Sequence, residues 1–329
     1  MSYLTHRHQY VQIDDQSSSR LSINFGVPQG SILGPVLFNL YVAELPSCTN
    51  SDTIQYADDT TAYRSCKSSN IISEIRKLET DVEEISNWSA ENGLVFNNDK
   101  LKFIVFSSKR KENDKSYLIR SDRKSIAQET TVKLLGVTFD QNLSWTSHII
   151  NITKASYGIL RVLKTFKRFT PFKVRKSLAE SLVLSRLNYC NVVFGQLPKY
   201  LQNRLQRVEN CAAGYVLGRY AKLIDVVHLN WLPIVESIDY NIVKCAFKSL
   251  HDKNWPLYLH CETVKHRRVL RSNGQGPKID YAEKCTFQNQ CEIFNDLPIT
   301  IRQCEDQDIF TTKVRRFFKD KALTRALSL

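Results

Sequence analysis

From Tyr10 to Phe25 apolar and polar residues alternate on either side of a polar tip, Val11 and Ile13 before it and Leu21, Ile23 and Phe25 after it, which predicts a hairpin. The stretch GVPQGSILGP (26–35) breaks the alternation, and the apolar run from Val36 to Val42 predicts a helix starting near Ser31 and stopped by Pro46. IQYADDTTAY (54–63) reads as a very short strand, turn and strand with two aspartates at the tip. From Ile71 the period changes: apolar positions 71, 75, 78, 82, 85 and 88 step by four and three, predicting an amphipathic helix capped by Asn70 and closed by Gly93. LKFIVFS (101–107) reads as a short strand, and a polar insertion at 109–115 leads into a second hairpin ending KLLGVTFD (133–140).

Beyond Leu143 the pattern becomes helical. Ile149, Ile152, Ile159, Leu160, Leu163 and Phe166 form one stripe, Pro171 breaks it, and Val174, Leu178, Leu182 and Leu187 form another. A third, less regular region starts near His228 with HLNWLPI and includes a Gly/Asn/Pro-rich loop at 272–277. The expected architecture is α+β, with boundaries near residues 143 and 225.

Charge sharpens this division. Residues 1–144 hold 16 Lys and Arg against 18 Asp and Glu, whereas the remainder hold 30 against 15, so the positive charge of the chain belongs to its second part. Lys154, Arg161, Lys164, Lys167, Arg168, Lys173, Arg175 and Lys176 occur without an intervening acid. Such a run alone reads as a solvated helical face; with the motifs below it reads as a polyanion surface. The nine cysteines are odd in number and form no CxxC pair, and the His260, Cys261, His266, Cys285, Cys291, Cys304 group fits no compact zinc finger, so reduced thiols are expected. No apolar run is long enough for a membrane span and the first residues lack a secretory layout, so an intracellular protein is expected, nuclear if it is functional.

Two features carry chemistry. Adjacent carboxylates at a hairpin tip, Asp58 and Asp59, repel one another, and a divalent cation with a taste for hard oxygen ligands resolves that conflict; an Asp-Asp turn by itself is also ordinary turn chemistry. In GVPQGSILGP, two glycines beside Gln29 let backbone approach a ligand, while the following helix offers free N–H groups; the plainer reading is a turn that starts a helix.

Together these residues resemble a known family. Phe-Gly-Val-Pro-Gln-Gly-Ser-Ile-Leu-Gly-Pro (25–35), Leu-Phe-Asn-Leu-Tyr (37–41) and Tyr-Ala-Asp-Asp (56–59) resemble the reverse transcriptase of jockey-like non-LTR retrotransposons. ENGLVFNNDKLKFIVFSS (91–108) resembles the next block and KLLGVTFDQNLSWTSHI (133–149) the primer-grip segment. SRLNYCNVVFG (185–195), LQRVENCAA (205–213), WLPI (231–234), LRS (270–272) and FNDLPITIRQ (294–303) resemble the region downstream. The resemblance implies a partial palm over 1–143, a basic thumb-like helical domain over 144–225 and a C-terminal region over 226–329. It implies that Asp58 and Asp59 bind two Mg²⁺ ions, that Gln29 and Gly30 line the nucleotide pocket, and that Lys100 approaches the triphosphate. Lys133, Leu134, Leu135 and Gly136 would hold the primer end, and the eight basic residues the phosphates of an RNA template and DNA primer extended with deoxynucleoside triphosphates.

The chain also departs from the family. A further metal-binding aspartate, the fingers and a sugar-discriminating aromatic are expected upstream of GVPQG, and Asp14 and Asp15, at a hairpin tip, are poor substitutes. Gly214 stands where an arginine is common and Phe294-Asn295 where Trp-Asn is common. The chain is therefore expected to be an N-terminally truncated polymerase, impaired or weak alone; the alternative is a non-catalytic nucleic-acid-binding remnant.

Overall fold

In the computed structural model, residues 3–107, 116–121, 124–195, 197–263, 279–280 and 291–328 are described. The insertion at 109–115, the motif at 270–272, the loop at 272–277, His266 and Cys285 lie outside them. The chain divides into two compact units, Met1–Val132 and Lys133–Leu329. It is a mixed α and β protein whose sheets are small antiparallel pairs. Among the described residues no helix is long and apolar enough to cross a membrane.

In the first unit the expected N-terminal hairpin forms as two nested pairs. β1 (Arg7–Gln9) pairs with β4 (Leu21–Ile23), and β2 (Gln12–Ile13) pairs with β3 (Gln16–Ser17) around a tip at Asp14-Asp15. Pairing is as the alternation predicts, but Val11, Ile13, Leu21 and Phe25 are all exposed. Helix α1 is Gly34–Tyr41, shorter than expected, because Ser31 is held in the preceding turn: its hydroxyl donates to Pro28 O (2.8 Å) and accepts from Gly34 N (3.0 Å). A Cβ at Gly34 would lie 2.9 Å from that hydroxyl, so the turn needs glycine there.

β5 (Asp52–Tyr56) and β6 (Asp59–Tyr63) follow, then α2 (Ile71–Glu91). Ile75 and Ile85 are buried on α2 as its spacing predicts. Asn70 makes no side-chain cap; Gly93, at φ +67, does end the helix, with Leu94 N bonding back to Ser89 O (2.7 Å). The expected strand over 101–107 is absent. Only Phe103 bridges, to Gln128, and its buried ring joins Ile75, Tyr117, Ile119 and Ile126 in a small core under β7 (Leu118–Ser121) and β8 (Lys124–Ala127).

The second unit opens with the hairpin of β9 (Thr131–Leu134), which crosses the boundary, and β10 (Val137–Asp140). α3 (Thr146–Thr165) buries Ile149, Leu160 and Leu163, but Phe166, placed by its spacing in the same stripe, is 57% exposed beyond the helix end. After Pro171 come α4 (Phe172–Ala179), a π-helical turn (Glu180–Leu184) and α5 (Ser185–Asn188). The widened turn points Glu180 at Trp231, whose indole N–H donates to it (2.7 Å).

α6 (Lys199–Leu217), α7 (Leu223–His228), α8 (Ile234–His251), α9 (Ile299–Arg302) and α10 (Gln307–Leu327) complete one continuous core. Phe310 stacks on Phe247 at 4.0 Å and lies 6.1 Å from Phe294, so phenylalanine fills its position fully buried. A Cβ on Gly214 would stand 2.9 Å from Arg219 O, so no larger residue fits without moving backbone. Two short strands, Glu262–Thr263 and Ile279–Asp280, also pair. The described cysteines are free thiols.

Candidate active site

The aspartate pair sits on the β5–β6 hairpin. Tyr56 pairs with Asp59, which leaves Ala57 and Asp58 as a two-residue turn. Ala57 has φ +54, a left-handed conformation that costs a Cβ-bearing residue about 1 kcal/mol or more. The turn places the two adjacent carboxylates at an exposed tip. Neither carboxylate has a hydrogen-bond or ion-pair partner among the described residues.

The base of the hairpin is fixed by polar contacts to α2. Asp81, 1% exposed, accepts from Asn50 N (2.8 Å) and from the Ser51 hydroxyl. Arg64, just past β6, donates to Glu74 (2.5 Å), Ser51 Oγ (3.1 Å) and Asn50 O (3.0 Å). Lys77 and Arg64 together hold the Glu74 carboxyl below its usual range. Gln55 reaches Val42 O (3.4 Å), tying β5 to the end of α1. A tip with free charges thus stands on a base whose charges are matched.

Gln29 and Gly30 are exposed in the turn before α1, with Gly30 at φ +79. Arg7 braces the start of this loop by donating to Phe25 O (3.0 Å) and Gly26 O (2.6 Å). Lys100 is exposed at the end of a 3-10 turn, Asn98–Lys100. No hydrogen bond or ion pair joins Gln29, Gly30 or Lys100 to either aspartate among the described residues. No group of three or more His, Cys, Asp or Glu side chains there is placed to hold a metal ion.

Residues 2–139 match the family model described as reverse transcriptase (RNA-dependent DNA polymerase). By that match these residues are a reverse transcriptase domain. The chain is 28% identical over 162 residues to the RNA-directed DNA polymerase from mobile element jockey of Drosophila melanogaster, covering 47% of this chain and 17% of the relative. It is 28% identical over 157 residues to the probable RNA-directed DNA polymerase from transposon X-element of the same species, covering 46% and 17%. A third relative there, the probable RNA-directed DNA polymerase from transposon BS, is 26% identical over 223 residues, covering 64% and 24%. That alignment is too long to lie within residues 2–139, so the likeness continues past the reverse transcriptase domain. The chain spans about a sixth to a quarter of the length of these relatives. No solved structure matches it significantly.

In the second unit Lys133 and Leu134 end β9, and Leu135 and Gly136, at φ +45 and φ +85, form the two-residue bend of the β9–β10 hairpin. Two positive φ values match the twist of a tight hairpin, and Leu135 is a strained occupant of the first. Tyr189 secures the bend: its hydroxyl donates to Leu135 O (2.8 Å), and a Cβ on Gly136 would come within 3.2 Å of its ring. His148, buried and with its pKa lowered by desolvation, accepts from Thr138 N (3.2 Å) on the next strand. Sequence reasoning gave neither Tyr189 nor His148 a role.

Of the eight expected phosphate-binding residues, Lys154, Arg161, Lys164, Arg168 and Lys173 are exposed, and Lys167, Arg175 and Lys176 half-buried. Lys176 pairs with Glu180 at 3.8 Å. The others have no ion-pair partner among the described residues. Lys154, Arg161 and Lys164, spaced by seven and three, share one face of α3. Arg204 and Arg207 of α6 join that surface: Arg204 donates to Thr153 (3.2 Å), and both oppose the rise that burial and Cys211 impose on the Tyr157 phenol.

Proposed function

We propose that the chain acts in RNA-templated DNA synthesis, with the first unit as part of a polymerase palm and the second as a thumb-like grip followed by a C-terminal region. The observation that carries this reading is the strained turn presenting Asp58 and Asp59 without partners, inside a reverse transcriptase domain. Both are free carboxylates, the hard oxygen donors that a divalent cation such as Mg²⁺ requires. Bound there, such a cation would favour the primer hydroxylate as nucleophile and neutralise the departing pyrophosphate.

The remaining work falls to this chain's own groups. Gln29 and the open backbone at Gly30 would seat the incoming deoxynucleotide, and Lys100 would meet its triphosphate. Lys133 to Gly136 would hold the primer end, in a bend kept rigid by Tyr189. The unpaired cations of α3 and α4 would hold template–primer phosphates without reading sequence. A nuclear site of action belongs to this reading.

A second reading, a nucleic-acid binder without chemistry, is favoured by the absence of a third carboxylate grouped with the pair among the described residues. Primer extension on an RNA template separates the two. The first reading expects deoxynucleotide addition that disappears in Asp58→Asn/Asp59→Asn; the second expects salt-sensitive binding of template–primer, unchanged by that substitution, and no extension.

A further inference from the structure

Where α3 ends and α4 begins, the chain reads Phe166-Lys167-Arg168-Phe169-Thr170-Pro171-Phe172-Lys173. Phe166 is 57% exposed, Phe169 83% and Phe172 47%, in a unit where Phe194, Phe294, Phe310 and Phe318 are all essentially inaccessible. Turning three large rings to water forgoes the biggest burial gain that side chains offer. The turn itself is well made. Phe169 N bonds to Phe166 O (3.0 Å), and the Thr170 hydroxyl closes on Phe166 O and Lys167 O (both 3.2 Å). Lys167–Phe169 is a 3-10 turn, a geometry in which residues three apart eclipse, so the backbone carries Phe166 and Phe169 on one side. None of the three rings pairs with another ring among the described residues.

Around these rings, Lys164, Arg168 and Lys173 are exposed and Lys167 half-buried, all without ion-pair partners among the described residues. Lys154, Tyr157, Arg161 and Lys164 continue the same mixture along one face of α3, with Arg204 and Arg207 beside Tyr157. An apolar protein partner would cover the rings but bury unmatched cations. A duplex would match the cations but leave the rings idle, since its bases are already stacked. An anionic membrane would match both, yet it favours a broad apolar face, and here cations flank the rings on both sides. An unpaired strand offers one phosphate and one free aromatic face per nucleotide.

We propose that the turn Phe166–Phe172 is a stacking platform for the unpaired bases of a single nucleic-acid strand, whose phosphates are held by Lys164, Lys167, Arg168 and Lys173. This rests on the reading of the second unit as a nucleic-acid surface and adds the strand state that it selects. A strand leaving a template–primer duplex is the partner it fits.

The test is fluorescence anisotropy of the full chain with three probes: a short oligouridine, an abasic strand carrying the same number of phosphates, and a blunt RNA–DNA duplex. The wild-type chain should bind oligouridine at least about tenfold tighter than the abasic strand. Phe166→Leu/Phe169→Leu/Phe172→Leu, with its helical circular dichroism unchanged, should erase that margin while shifting duplex affinity by less than about twofold. A margin that survives in the variant, or a wild-type chain that binds the duplex but does not distinguish the two strands, overturns the platform and leaves the nucleic-acid reading standing. A chain that binds none of the probes but sediments with phosphatidylserine vesicles overturns both.

Discussion

The two units use the same kinds of residue in opposite ways. In the second, stripes on α3, α6, α8 and α10 meet in a single core running from Ile149 to Phe318. In the first, the buried cluster among the described residues is Ile75, Phe103, Tyr117, Ile119 and Ile126, with Val42, Leu45 and Ile85 buried outside it, while Phe25, Ile32, Val36, Leu40, Ile54 and Tyr56 face outward. β7 and β8 pack on that cluster through Ile119 and Ile126, whereas the base of the β5–β6 hairpin is held by hydrogen bonding and charge, Asp81 with Asn50 and Ser51 above all. The lesson is that local pairing and global burial are separable: a strand can take its register from a turn while its apolar face remains uncovered.

This contrast is most easily broken by truncating side chains. Phe310→Ala should cost about 3–5 kcal/mol in denaturant unfolding because Phe310 is fully enclosed, whereas Ile32→Ala should stay within about 0.5 kcal/mol. Comparable losses at both would erase the distinction.

A buried carboxyl gives the next largest effect. Desolvation pushes Glu209 up to about 8, with Gln206 opposing the rise from 2.8 Å. A raised folded pKa means that the folded form keeps a proton which the unfolded form loses. The stability contribution is thus full below about pH 4.5, falls up to about pH 8 and is flat beyond. Glu209→Gln should stabilise the second unit by about 3 kcal/mol at pH 7 and flatten its pH dependence over that window. A thermal melting series on the variant showing no gain at neutral pH would place the proton elsewhere.

Asp81→Ala should loosen the first unit by about 2 kcal/mol, since it strands Asn50 N–H and the Ser51 hydroxyl. Hydrogen exchange should quicken across β5 and β6 and stay unchanged in α6 and α8. Tyr189→Phe, which removes one hydrogen bond to the strained Leu135 bend, should cost less, about 1 kcal/mol. Faster exchange confined to β9 and β10 is the expected signature.

Part of the fold was legible because periodicity reports burial: α2 buries Ile75 and Ile85 and α3 buries Ile149, Leu160 and Leu163, while Ile71, Leu78, Val82, Trp88, Ile152 and Ile159, nominated by the same spacing, are half-buried. The reading failed where burial and spacing part company. Phe166 completes its stripe in sequence but falls past the last turn of α3, and LKFIVFS buries Phe103 through one bridge, without forming a strand. The aspartate pair was visible because it occupies consecutive positions in a turn. Tyr189 was not, because its partner Leu135 lies 54 residues away and no local pattern encodes that bond.

The claim on which the account rests is that Asp58 and Asp59 hold a divalent cation, and iron-generated hydroxyl radicals test it directly. With Fe²⁺ in place of Mg²⁺, the backbone should be cut around the turn between Tyr56 and Thr60, with the cuts suppressed by excess Mg²⁺ and lost in Asp58→Asn/Asp59→Asn. Cleavage that ignores the double substitution, or that falls elsewhere in the chain, would contradict it.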